Sequence, residues 1–217
     1  MNKSVLIGLL VTSGAFLVGL GEWLMLYSPL GGYGLELGHA NFLHPSLEQL
    51  SLGFYLGVLA APIYILGYFW LAQVLELSKK MLWLFMTLAV VGFMSGVVWL
   101  GTNAYLGLIV HQIQVAPSVG LETILAQIDQ LSGGLLQVVR VAVLLLSLMM
   151  SYFIFQRDTI YPRFMAFLPP FFLIAGVFML YYFIPEFGGY LFPAALNVAH
   201  FIFFGLSTFI VYKHAKN

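Results

Sequence analysis

The chain has 217 residues, of which 62% are hydrophobic and only 7% charged, with zero formal net charge and no cysteine. A soluble domain carries about 25% charged residues, so this chain has too little polar surface to cover a globule in water and belongs to the membrane class. The missing cysteine excludes disulfides, thiolate metal sites and thiol redox chemistry. Basic residues that never gather among aromatics exclude nucleic-acid binding.

A transmembrane helix needs about 20 mostly apolar residues. Six runs meet that length, roughly 4–27, 47–75, 81–105, 134–155, 164–184 and 193–212. Backbone polar groups in lipid must be satisfied within the segment, so the expected class is all-α, a bundle of six transmembrane helices in a single domain. The first run starts behind Lys3 like a signal peptide. It stays apolar to Tyr27, so it is expected to remain as an uncleaved span. Pro29 follows it. Ser46 and Gln49 form a capping-box pattern at the start of the second. Gly133 and Gly134 precede the fourth, and Pro193 suits the first turn of the sixth.

The loops set the topology. Lys3, Lys79, Lys80, Arg157, Arg163, Lys213 and Lys216 fall on one side of the six spans. Glu36, Glu48, Glu122, Asp129 and Glu186 fall on the other, without Lys or Arg. Lys and Arg mark the cytoplasmic side, so both termini are expected there, in a cell membrane. The two long outer loops carry structure of their own. Residues 28–45 are rich in Gly and Pro. In "GLETILAQIDQL", Leu121, Ile124, Leu125, Ile128 and Leu131 share a helical face. An amphipathic helix over about 119–131, lying on the outer surface, is expected. It serves either as a lid or as a plain loop helix. No internal repeat of the transporter kind is supported.

The polar residues inside spans gather in the outer half. Counting from the cytoplasmic ends at 1.5 Å per residue puts Glu22 about 4–5 Å below the outer edge, Arg140 roughly 7 Å and His200 about 12 Å. Asn197 has a depth similar to that of Arg140. Asn103 lies near the outer edge of span three. Membrane helices pack through small and polar residues. Glu22 ends a stripe of Gly8, Thr12, Ala15 and Gly19. Asn103 continues Gly92, Gly96 and Trp99. Arg140 shares a face with Gly133, Gln137, Ser147 and Ser151. Asn197 and His200 share a face of span six.

These placements predict a polar cluster open toward the outer side and a Glu22–Arg140 ion pair. Arg140 keeps its proton, so it needs a partner. The pair is either a bridge between spans one and four or a site shared with a bound anionic group. His200 is a candidate acid or base, with Glu22 beside it; a hydrogen-bonded structural histidine fits equally. Trp99 and Tyr64 are placed at the pocket wall. His39 and His44, five apart, are poorly spaced for one helical face, and no metal or cofactor is expected. Trp23, Tyr27, Tyr105, Tyr190 and Phe192 suit an outer aromatic belt.

The stretches "GLGEWLMLYSP", "LGFYLGVLAAPIYILGYFWL" and "PAALNVAHFIFFGLSTF" resemble an uncharacterised family of bacterial six-helix membrane proteins. The family pattern has an acidic residue near the end of the first span, where Glu22 replaces the usual aspartate, and a Gly- and Pro-containing second span, as at Gly53, Gly57 and Pro62. The resemblance implies the architecture and a bacterial cytoplasmic membrane. It implies no activity.

Three functions fit these readings. The first is binding of a small or lipidic, possibly anionic, ligand in the outer pocket, with catalysis by His200 left open. The site would comprise Glu22, Tyr64, Trp99, Asn103, Gln137, Arg140, Asn197 and His200. The second is a transporter or channel, which needs a polar path through inner halves that offer few polar residues. The third is a non-catalytic accessory or assembly subunit. Membrane lipids are partners in each.

Overall fold

The computed structural model describes residues 3–29, 38–156 and 159–216. Glu36 and Arg157, two of the charges used to orient the chain, lie outside them. The described residues are all-α: α1 (Lys3–Leu26), α2 (Leu47–Ala60), α3 (Pro62–Val74), α4 (Lys79–Val115), α5 (Val119–Gln156), α6 (Pro170–Phe183), α7 (Pro185–Leu191) and α8 (Ala195–His214). Short 3-10 turns cover Gly38–Leu43, Arg163–Phe167 and Phe192–Ala194. Among the described residues five segments are long and apolar enough to cross a membrane: α1, α2 with α3, α4, α5, and α7 through α8.

Proline interrupts two runs that the sequence reads as unbroken spans. Pro62 divides the second span into α2 and α3, since proline has no N–H for the helical ladder. The break places Tyr64 in the first turn of α3. The fifth predicted span is cut shorter. Pro170 opens α6 at its first turn, and the residue before a proline avoids helical angles. Ile184, before Pro185, takes φ −135° and ψ 72°. The resulting α6 has 14 residues, about 21 Å, against a hydrocarbon core of about 30 Å. Ser46 caps α2 as the capping box requires: Gln49 N–H donates to its hydroxyl at 3.2 Å, and Ser46 N–H donates to Gln49 Oε1 at 2.7 Å.

The separate surface helix expected over about 119–131 does not form. Those residues are the first turns of α5, which runs unbroken for 38 residues beside the 37-residue α4. Gly133 and Gly134 lie inside α5 instead of ending it. Glycine weakens a helix by about 1 kcal/mol relative to Ala but keeps its N–H in the ladder. The long contact with α4 offsets that cost. Leu125 and Ile128 from the apolar face pack on the core, while Ile124 and Leu131 are exposed. Each helix is about 55 Å long, roughly 25 Å more than a hydrocarbon core. The hairpin end is tied down by His111 Nε2, 2.9 Å from the Pro45 carbonyl, and by His39, 3.5 Å from Asp129.

Charge divides the bundle into two ends. Glu48, Glu122, Asp129 and Glu186 lie toward one, the acidic end. Lys3, Lys79, Lys80, Arg163 and Lys213 lie toward the other. Helix α1 is the central element, packed on α2 and α3 along one side and on α8 along another. Its glycines allow both contacts. A Cβ on Gly21 would lie 2.6 Å from the Gly53 carbonyl oxygen and 2.8 Å from the Gly57 nitrogen, so the α1 and α2 backbones meet there. A Cβ on Gly8 would strike Thr208 of α8. Thr12 and Ala15 continue that α8-facing side. The exterior exposes Leu59, Trp83, Tyr182, Phe183 and many other large apolar side chains, as contact with lipid requires and water would penalise.

Candidate functional site

Close packing of α1 against both neighbours turns Glu22 inward, where it is 4% exposed. Its partner is Asn197 of α8, whose Nδ2 donates to Glu22 Oε2. The Tyr64 hydroxyl in turn donates to Asn197 Oδ1. The Asn197 amide thus uses both its ends, accepting from α3 and donating to α1. Three helices are joined by one chain of side-chain hydrogen bonds. Asn197 and Tyr64 are both buried, so this chain satisfies groups that would otherwise be costly in an apolar interior.

One turn further along α8 stands a second polar pair. His200, fully buried, sets its Nδ1 2.7 Å from the Leu196 carbonyl and its Nε2 2.9 Å from the Tyr68 hydroxyl. A carbonyl only accepts, so Nδ1 carries a proton. In the neutral ring Nε2 is then the acceptor, and Tyr68 donates. The two pairs touch through rings: Tyr64 and His200 meet edge to face with centroids 4.9 Å apart, and Tyr64 stacks on Phe93 at 4.8 Å. Phe93 and Phe204 complete the wall around the imidazole.

A cavity of about 40 Å³ adjoins Glu22, Asn197 and Tyr64, with Trp99, Gly96 and Val139 among its other walls. That volume suffices for one or a few waters or a small ion. It is far below the roughly 300–1,000 Å³ of sites for drug-sized molecules.

The expected Glu22–Arg140 ion pair is absent. Arg140 lies on the exposed side of α5, and no ion pair to it occurs among the described residues. Its neighbour Val139 is the α5 side chain that reaches the cavity; one step along a helix turns a side chain by about 100°. The face containing Arg140 is real, yet only half of it is covered. Lower on that face Ser147 accepts the Phe171 N–H at 3.0 Å, and Ser151 donates to the Ala166 carbonyl at 2.7 Å. Arg140 lies two turns, roughly 10 Å, nearer the acidic end. Helix α6 packs chiefly on α7 and α8 and less on α5. Gln137 is exposed as well.

Asn103 is buried but spends its amide on its own helix, donating to the Trp99 carbonyl at 3.1 Å. The polar residues that the fold joins are therefore Glu22, Tyr64 and Asn197, with His200 beside them and Trp99 at the cavity wall. Tyr68 completes the cluster and escaped the sequence reading. Its signal was present: Tyr64 and Tyr68 are spaced i, i+4 on α3, as Asn197 and His200 are i, i+3 on α8. Two hydroxyls on one helix match two polar side chains on another. No group of three or more His, Asp or Glu side chains placed to hold a metal occurs among the described residues.

The fold and this interior define an all-α bundle of apolar helices, compatible with a membrane protein, that encloses a small polar core. A model of a family of unknown function, DUF6796, matches residues 1–214, and the chain belongs to that family. No curated protein and no solved structure matches the chain.

Proposed function

We propose that the protein is an integral protein of a bacterial cytoplasmic membrane, crossing it six times with both termini inside, and that it binds a small ligand at Glu22. The short α6 would complete its crossing with the turns that flank it. Lys3, Lys79, Lys80, Arg163 and Lys213 at one end support the orientation. The observation that carries the site is a buried carboxylate whose only hydrogen-bond partner among the described residues is a neutral amide, beside a cavity. With Arg140 turned away, no positive side chain among the described residues lines that cavity. The site is therefore complementary to a cation or a hydrogen-bond donor. An anionic group would face an uncompensated carboxylate. The small volume restricts the occupant to an ion, water or the tip of a larger molecule.

Thermal unfolding of the purified protein in detergent tests this, with sodium, potassium, ammonium and guanidinium salts at matched ionic strength. A ligand at 100 times its Kd stabilises by about 2.7 kcal/mol. One cation should raise the midpoint of the wild type and leave Glu22→Gln unmoved. Identical responses in both proteins would overturn the assignment. Transport is the second reading. Buried polar side chains continue along α8 from Asn197 through His200 to Ser207 and Thr208, in the direction a path to the basic end would take.

A further inference from the structure

A second recess lies at the acidic end, on the outside of the bundle. A groove of about 270 Å³ runs between α1 and the start of α8, floored by Asn197 and lined by Phe16, Leu20, Val198 and Phe201. The Phe16 and Phe201 rings are 6.0 Å apart and about half exposed, so the groove opens sideways from the bundle. Gly19 lies in this wall; a Cβ there would come within 3.0 Å of the Asn197 Cβ.

Beside the groove lies an open cleft of about 550 Å³. Tyr190 lines both spaces. The cleft is walled by Tyr27, Tyr190, Phe187 and Glu186. Its aromatic side is fixed in place. Trp23 stacks on Tyr27 at 4.5 Å, and Tyr27 on Tyr190 at 5.5 Å. The Trp23 indole N–H donates to the Tyr190 carbonyl at 3.1 Å. Glu186 is exposed, and among the described residues no Lys or Arg lines either space.

The two spaces differ in chemistry and adjoin at Tyr190. An apolar trough on a side that faces lipid accepts an alkyl chain. Aromatic faces and one carboxylate at the level of the aromatic belt attract a soft cation and repel an anion. Aromatic rings recognise alkylated ammonium groups through the ring quadrupole. We infer that groove and cleft together bind an amphiphile with an apolar chain and an alkylammonium head. The chain lies along Phe16, Leu20 and Phe201, and the head lies between Tyr190 and Glu186. Apart from Asn197 at the floor of the groove, this site is built from side chains other than those joined at Glu22, and its occupant does not depend on the ligand proposed there.

Titration calorimetry on the protein in maltoside micelles, with empty micelles subtracted, tests the inference. The probes are dodecyltrimethylammonium, tetramethylammonium and an uncharged dodecyl polyoxyethylene ether. Dodecyltrimethylammonium should bind saturably, and the head alone and the uncharged chain at least about tenfold more weakly. Glu186→Gln and Tyr190→Leu should each weaken the first probe by roughly fivefold. Both positions are exposed, so helical circular dichroism should be unchanged and the loss assignable to the site. Equal binding of the uncharged ether would overturn the inference, as would unchanged affinity in both variants.

Discussion

Glu22 on α1 and Arg140 on α5 are of opposite charge type and expected at similar depths, yet the fold treats them in opposite ways. Glu22 lies where three helices converge and is enclosed by Asn197 and Tyr64. Arg140 lies on a helix with one long neighbour, α4, and its other flank is bare at that height. A polar residue on a packing face is buried only where a second helix reaches it. Opposite charge does not bring two groups together when the backbone places Val139 between one of them and the shared cavity. For an arginine near a bilayer edge, a long side chain can carry its charge to the interface at modest cost. A glutamate with a shorter chain lacks that escape and needs partners in place.

Three substitutions test this contrast. The largest effect is expected for Asn197→Leu, which removes the donor to Glu22 and the acceptor of Tyr64 together. Stranding two buried polar groups should cost about 3 kcal/mol, seen as a large fall in the thermal midpoint in detergent. A fall no greater than that of an exposed substitution would mean that the chain of hydrogen bonds does not hold the three helices.

Gly21→Ala comes next. The added methyl meets backbone of α2, which cannot turn aside as a side chain would. Overpacking of this kind should cost about 2 kcal/mol and loosen the inward placement of Glu22. Wild-type stability in this variant would show that α1 and α2 are less closely apposed.

The smallest effect belongs to Arg140→Leu. With no partner among the described residues, stability should change by no more than about 0.5 kcal/mol. Unfolding of Arg140→Leu as early as Asn197→Leu would make the two regions alike and end the comparison.

Much of the fold could be read from the chain. The run 47–75 reads as one span and its division at Pro62 does not follow, whereas helix α1 and the capped start of α2 follow from apolar length and the Ser46–Gln49 pair. These signals are local, and they act wherever the segment sits. The site was half legible. The inward direction of Glu22 followed from the small residues at Gly8, Thr12, Ala15 and Gly19, and the shared face of Asn197 and His200 from their spacing. The partners were not legible, because pairing by charge favoured Arg140 over the neutral Asn197.

By itself the sequence determined the apolar class, the helical character, the segregation of charge between two ends and which face of each helix carries its polar residues. Those properties depend on composition and on a period of 3.6 residues. Only the tertiary structure decided that α5 runs through Gly133 and Gly134, that α6 stops short and Arg140 stays exposed, and that Tyr64 and Tyr68 meet Asn197 and His200. The reason is physical. A helical face records what a residue can meet, whereas the length and tilt of neighbouring helices decide whether anything is there to meet it.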